Sequence, residues 1–146
     1  MSFNSTTEKN ETTAMFTFSS HVSTVQVINN GPLRAVNRKG TTTIYFHPDG
    51  GASFGDPSSF EVGIPIQVSD YEQHVMTDLS VSFPFVTTHL NTITSTESFD
   101  LNGELLRLGR KNDAWRTQYL GFQDVGATSI TGYILGYAVG VSPDQW

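Results

Sequence analysis

From Met15 onward, apolar and polar residues alternate along this chain with a period of two, not 3.6. The clearest stretch is Phe60 to Val68. Phe60, Val62, Ile64, Ile66 and Val68 fall on one side, and Glu61, Gly63, Pro65, Gln67 and Ser69 on the other. Alternation of this kind predicts a half-buried strand. Pro65 cannot donate to a ladder, so it marks an edge or a bulge. Tyr71, Val75, Leu79, Val81, Phe83 and Phe85 share the next parity, followed by a β-branched run from Val86 to Thr94. Met15–Ile28, Thr41–His47, a strand around Trp115–Tyr119 and a last one over Ile130–Val141 complete the pattern.

Turn chemistry separates these runs at Asn29-Asn30-Gly31-Pro32, Pro48-Asp49-Gly50-Gly51, Asp56-Pro57, Asn112-Asp113 and Gly126. Asn102-Gly103 lies between Phe99/Leu101 and Leu105/Leu106. Both turn residues tolerate positive φ, which predicts a hairpin there rather than a helix. Some seven to nine antiparallel strands follow, in an all-β domain over residues 15–146. An up-and-down β-barrel is the expected architecture, because closure removes exposed edges, with a β-sandwich as the alternative. Residues 1–14 are polar and aperiodic and read as a disordered, dispensable tail. They do not have the basic start and apolar stretch of a secretory signal, and a cytoplasmic location is expected.

Composition narrows the chemistry. The 146 residues include 8 Lys and Arg against 14 Asp and Glu, a net charge of −6, which argues against nucleic acid as a partner. No apolar run is long enough for a membrane helix, so no membrane partner is expected. The chain has no cysteine, and its four histidines form no His-x-His, HExxH or other ligand spacing, so neither metal nor cofactor is expected. Gly-x-Ser-x-Gly and phosphate-loop patterns are also missing. Arg34, Arg38 and Lys39 read as a solvated loop cluster, and Glu72, His74 and Asp78 as a solvated strand face.

The last strand carries Gly132, Ile134, Gly136, Ala138 and Gly140 on one side and Tyr133, Leu135, Tyr137 and Val139 on the other. Such a glycine stripe is either a cavity wall or a bend covered by neighbouring aromatics. If parity runs unbroken from Phe83 and Phe85, His89 points inward with Thr87 and Asn91. An interior imidazole can act as acid or base near neutral pH. His89 is therefore the candidate catalytic residue. Tyr45, Asn91, Trp115, Tyr119, Tyr133 and Tyr137 are the candidate substrate-binding residues, each joining an apolar body or short stem to a hydrogen-bonding end. Tyr133 and Tyr137 oppose the glycines, so the two groups exclude each other as cavity lining. A homodimer surface is the other use for that tyrosine pair.

Trp115-Arg116-Thr117-Gln118-Tyr119-Leu120-Gly121 followed by Gly132-Tyr133-Ile134-Leu135-Gly136-Tyr137 is similar in rhythm to the closing strands of barrel cyclases from natural-product pathways. In architecture, Met15 to Val141 resembles small β-barrel proteins of the calycin and allene-oxide-cyclase type. That resemblance carries no catalytic position over. It implies a cofactor-independent cyclase or isomerase, or a cycloaddition catalyst, acting on a largely apolar small molecule of secondary metabolism. Two other functions compete with it. One is a non-catalytic barrel that carries an apolar ligand. The other is a sandwich module that recognises sugar or protein through Trp115, Trp146 or Tyr71.

Overall fold

The computed structural model describes residues 3–80, 84–122, 128 and 131–139. Eight strands form in order: β1 (Phe16–Asn30), β2 (Leu33–Phe46), β3 (Ile64–Asp78), β4 (Phe85–Thr96), β5 (Ser98–Leu101), β6 (Glu104–Arg107), β7 (Ala114–Phe122) and β8 (Thr131–Val139). Six of them make one antiparallel up-and-down sheet, β1-β2-β3-β4-β7-β8, and β5-β6 is a separate hairpin. Its turn has both Asn102 and Gly103 at positive φ (59° and 84°), as the Asn-Gly pair predicts.

The expected closed barrel is not formed among the described residues. β8 exchanges its ladder with β7 alone and β1 with β2 alone, so the sheet keeps two edges. Nor do the described residues make a sandwich of two large sheets. The six-stranded sheet is curled, and residues of β1 and β8 line the same hollow. Gly40 sits where a Cβ would collide with the His21 carbonyl oxygen, and one on Gly132 would collide with that of Leu120. Both positions thus allow a close backbone approach that any larger residue would block.

Directly paired residues share a face of the sheet. Two adjacent rows on the concave face organise everything that follows. One runs Val22, Gly40, Tyr71, Asn91, Trp115. The next runs Thr24, Arg38, Gln73, His89, Thr117, Gly136. At one end of the curl, Met15, Phe46, Ile66 and Phe99 form the buried core, joined by Phe16, Ile44, Leu101, Leu106 and Leu108. The β5-β6 hairpin plugs that end through Phe99, whose ring meets Phe46 at 5.0 Å and Phe16 at 5.6 Å.

Three expectations are corrected here. The alternation from Phe60 to Val68 is not one strand. Asp56 caps a 3-10 turn over Pro57–Glu61, leaving Val62 exposed, and β3 begins only at Ile64. A bulge then lets consecutive Ile66 and Gln67 both be buried, so the parity changes at Ile66, directly after Pro65. Second, Arg34, Arg38 and Lys39 belong to β2, not to a loop, because Gly31 (φ 59°) and Pro32 close a two-residue turn and pairing resumes at Leu33. Third, the polar stretch before β1 is docked. Phe3 bridges Ala14, Asn4 Nδ2 donates to the Asp49 carbonyl at 2.6 Å, and Gly51 N donates to the Thr12 carbonyl at 2.7 Å. Its backbone is held by hydrogen bonds, which the apolar pattern cannot reveal. Val81, Phe83, Gly126, Ile130, Gly140, Val141 and Trp146 lie outside the described residues. Among the described residues, no helix is long and apolar enough to cross a membrane.

Candidate functional site

Above the core plug, the concave face encloses a cavity of about 500 Å³, within the range of clefts that take small molecules, roughly 300–1,000 Å³. Aromatic lining comes from Phe16 and Phe18 on β1, Tyr71 on β3, and Trp115 and Tyr119 on β7. Ile44, Leu108 and Ile134 add aliphatic surface. Its polar lining is Thr17, Ser20, Thr42, His89, Asn91 and Thr117, with no Asp, Glu, Lys or Arg among the described lining residues.

Four of the seven residues singled out from sequence meet here: His89, Asn91, Trp115 and Tyr119. The other three do not. Tyr45 pairs with Thr17 and Pro65 and is not part of the lining. Tyr133 and Tyr137 pair with Leu120 and Arg116 on the convex side, 76% and 56% exposed. Tyr137 Oη accepts from Arg116 Nη1 at 3.2 Å. The glycine-bearing side of β8 faces the cavity, with Ile134 in its lining and Gly136 opposite Thr117. The two alternatives for that strand exclude each other, and the small residues take the concave side.

Sequence reasoning placed Tyr71 in the apolar strand pattern and among the platforms of a sandwich module, and missed its place beside His89. Tyr71 is 6% exposed, and its Oη lies 2.7 Å from His89 Nδ1. The direction of this bond follows from the row beside it. Arg38 Nη1 donates to Gln73 Oε1 at 2.9 Å, which fixes the amide so that its NH₂ end faces His89 Nε2 at 3.5 Å. An N–H facing an N–H would be repulsive, so Nε2 is the bare nitrogen and Nδ1 carries the proton. Nδ1 therefore donates to Tyr71 Oη, which leaves the Tyr71 hydroxyl proton to be directed elsewhere. Tyr119 packs on the His89 ring at 4.9 Å between centroids.

The local electrostatics keep both groups neutral. Burial pulls the His89 imidazole below its ordinary value. Burial likewise pushes the Tyr71 phenol up, opposed by the positive charge of Arg38 and reinforced by Tyr119. One more feature marks the row between them. Asn91 is fully buried (0% exposed), and neither its Nδ2 nor its Oδ1 has a hydrogen-bond partner.

The remaining histidines have structural partners. Thr17 Oγ1 donates to the Phe60 carbonyl at 2.6 Å and accepts from His47 Nε2 at 2.8 Å. His21 meets Glu61 at 3.1 Å on the surface, and His74 Nδ1 donates to Asn37 Oδ1 at 2.8 Å. Among the described residues, no three His, Asp or Glu side chains come together as a metal site. A second hollow of about 370 Å³ lies on the convex side against Ile28, Leu33, Met76 and Leu120. It contains neither a buried titratable pair nor an unpartnered buried amide, so the concave cavity is the candidate site. Compared with known proteins, the chain matches no family model, no curated protein and no solved structure.

Proposed function

We propose that the concave cavity binds an uncharged, largely apolar small molecule and isomerises or cyclises it without a cofactor. In this reading the sheet is an incomplete up-and-down barrel, and the unpaired β1–β8 seam is its entrance. The observation that carries the proposal is the oriented chain Arg38–Gln73–His89–Tyr71, which ends on a phenol at a charge-free, aromatic-lined cavity. A hydroxyl whose oxygen already accepts from His89 is a better donor to an oxygen gaining negative charge, as a conjugated carbonyl does in the transition state of a cycloaddition or rearrangement, in which bonds are exchanged within the substrate and no proton leaves it. The shaped apolar wall supplies the other requirement, holding a flexible substrate with its reacting atoms close together. Tyr71 would touch the substrate, and His89 would act through it.

Such a reaction conserves mass, and this makes the test direct. Incubation with an organic extract of the source cells, followed by liquid chromatography and mass spectrometry, should show one metabolite depleted. A new peak of identical mass should replace it. Tyr71→Phe should still retain the compound but leave it unconverted. A compound retained and unchanged by the wild type would contradict catalysis and leave a carrier.

A further inference from the structure

We infer that Asn91 anchors a neutral ring that carries a hydrogen-bond donor beside an acceptor, the pattern of a cyclic secondary amide such as a lactam. This inference rests on the reading of the concave cavity as a ligand site. Asn91 lies at the centre of the concave row, between Tyr71 and Trp115, and lines the cavity. Its amide is fully buried with both ends unpartnered. Buried polar groups in folded proteins are nearly always paired, so an amide open at both ends calls for an explanation.

The neighbouring polar groups do not supply the missing partners. Gln67 Oε1 accepts from Trp115 Nε1 at 2.9 Å, and Gln67 Nε2 donates to the Leu108 carbonyl at 2.7 Å. Ser20 and Thr42 pair at 2.7 Å, and Tyr71 pairs with His89. Among the described lining residues, Asn91 is therefore the one fully buried side chain with a donor and an acceptor both uncommitted. A lone carbonyl or hydroxyl would satisfy one end. A cis secondary amide presents N–H and C=O on the same edge and would satisfy both with two parallel bonds, which requires the side chains packed over the amide to part, because neither amide atom is exposed. The absence of charged side chains in the described lining selects a neutral ring over a carboxylate or an amine. Tyr71 and Trp115, on either side of Asn91, provide aromatic surface for it.

The probes are 2-quinolone, N-methyl-2-quinolone and naphthalene, titrated calorimetrically into the full chain and into Asn91→Leu. In the wild type, 2-quinolone should bind roughly tenfold more tightly than its N-methyl derivative, the scale of a net hydrogen bond. In Asn91→Leu the two should bind within about twofold of each other, with naphthalene unaffected. If Asn91→Leu does not fold, Asn91→Thr carries the same comparison. Equal binding of 2-quinolone and its N-methyl derivative by the wild type would overturn the role of Asn91 while leaving the cavity as a binding site. Failure of all three probes to bind at millimolar concentration would overturn the cavity reading, and this inference with it.

Discussion

Tyr71 on β3 and His89 on β4 meet diagonally across their ladder, with Oη 2.7 Å from Nδ1, while each is paired directly with a different neighbour. Tyr71 faces Asn91, and His89 faces Gln73. The diagonal contact thus links the row that holds Arg38 to the row that holds the unpartnered amide. Through it the half-buried Arg38 guanidinium, by orienting Gln73, fixes a proton position at the cavity.

That orientation predicts the tautomer of His89. Long-range ¹H–¹⁵N correlation spectra at neutral pH should show a protonated Nδ1 and a bare Nε2. Gln73→Leu, which removes the facing NH₂, should allow the other tautomer to appear. A protonated Nε2 in the wild type would mean that Tyr71 donates to His89, reversing the chain.

Acid should weaken the fold through the same residue. Burial holds His89 below its ordinary value near 6.5, so the unfolded chain takes up this proton at a higher pH than the folded protein does. The His89 contribution is therefore complete above that ordinary value. It is lost as pH falls from there through the lower folded value. Thermal midpoints should drop across this window in the wild type and drop less in His89→Gln. Equal slopes in the two proteins would contradict the burial argument.

The aromatic plug should dominate stability. Phe99 is buried against Phe16 and Phe46, so Phe99→Ala should cost about 3–5 kcal/mol in urea denaturation. Phe54→Ala, at a residue 75% exposed, should change little. A small loss at Phe99 would mean that the hairpin is not docked as described.

Removal of residues 1–13 should lower the thermal midpoint by roughly 3–6 °C, through loss of the Asn4–Asp49 and Gly51–Thr12 bonds. An unchanged midpoint would return this segment to the dispensable tail that its polarity suggests.

Part of the site was legible in the chain because strand parity is a strong rule. Phe85, Thr87, His89 and Asn91 do share the concave face, so the position of an imidazole and an amide there could be read directly. Parity failed where the backbone departs from the two-residue repeat. The Ile66–Gln67 bulge and the capped turn at Pro57 scrambled the Phe60–Val68 pattern. Tyr71 read as part of an apolar strand pattern and as an exposed platform for a sandwich module, whereas it is buried and its role depends on a diagonal contact with another strand. Tyr133 and Tyr137 were tempting on chemistry, yet an aromatic-lined cavity needed the small face of β8 instead. Closure of the sheet was not readable at all, since it depends on curl and on the meeting of two edges distant in sequence.

The central claim is that Tyr71 offers a hydrogen bond into a ligand cavity. The carbonyl ¹³C shift of bound, carbonyl-labelled 1-tetralone, a neutral aromatic ketone, tests it most directly. Wild-type protein should move that resonance downfield from its free position, and Tyr71→Phe should abolish the movement while binding the ketone within a few-fold of the wild-type affinity. The same bound shift in both proteins would contradict the account.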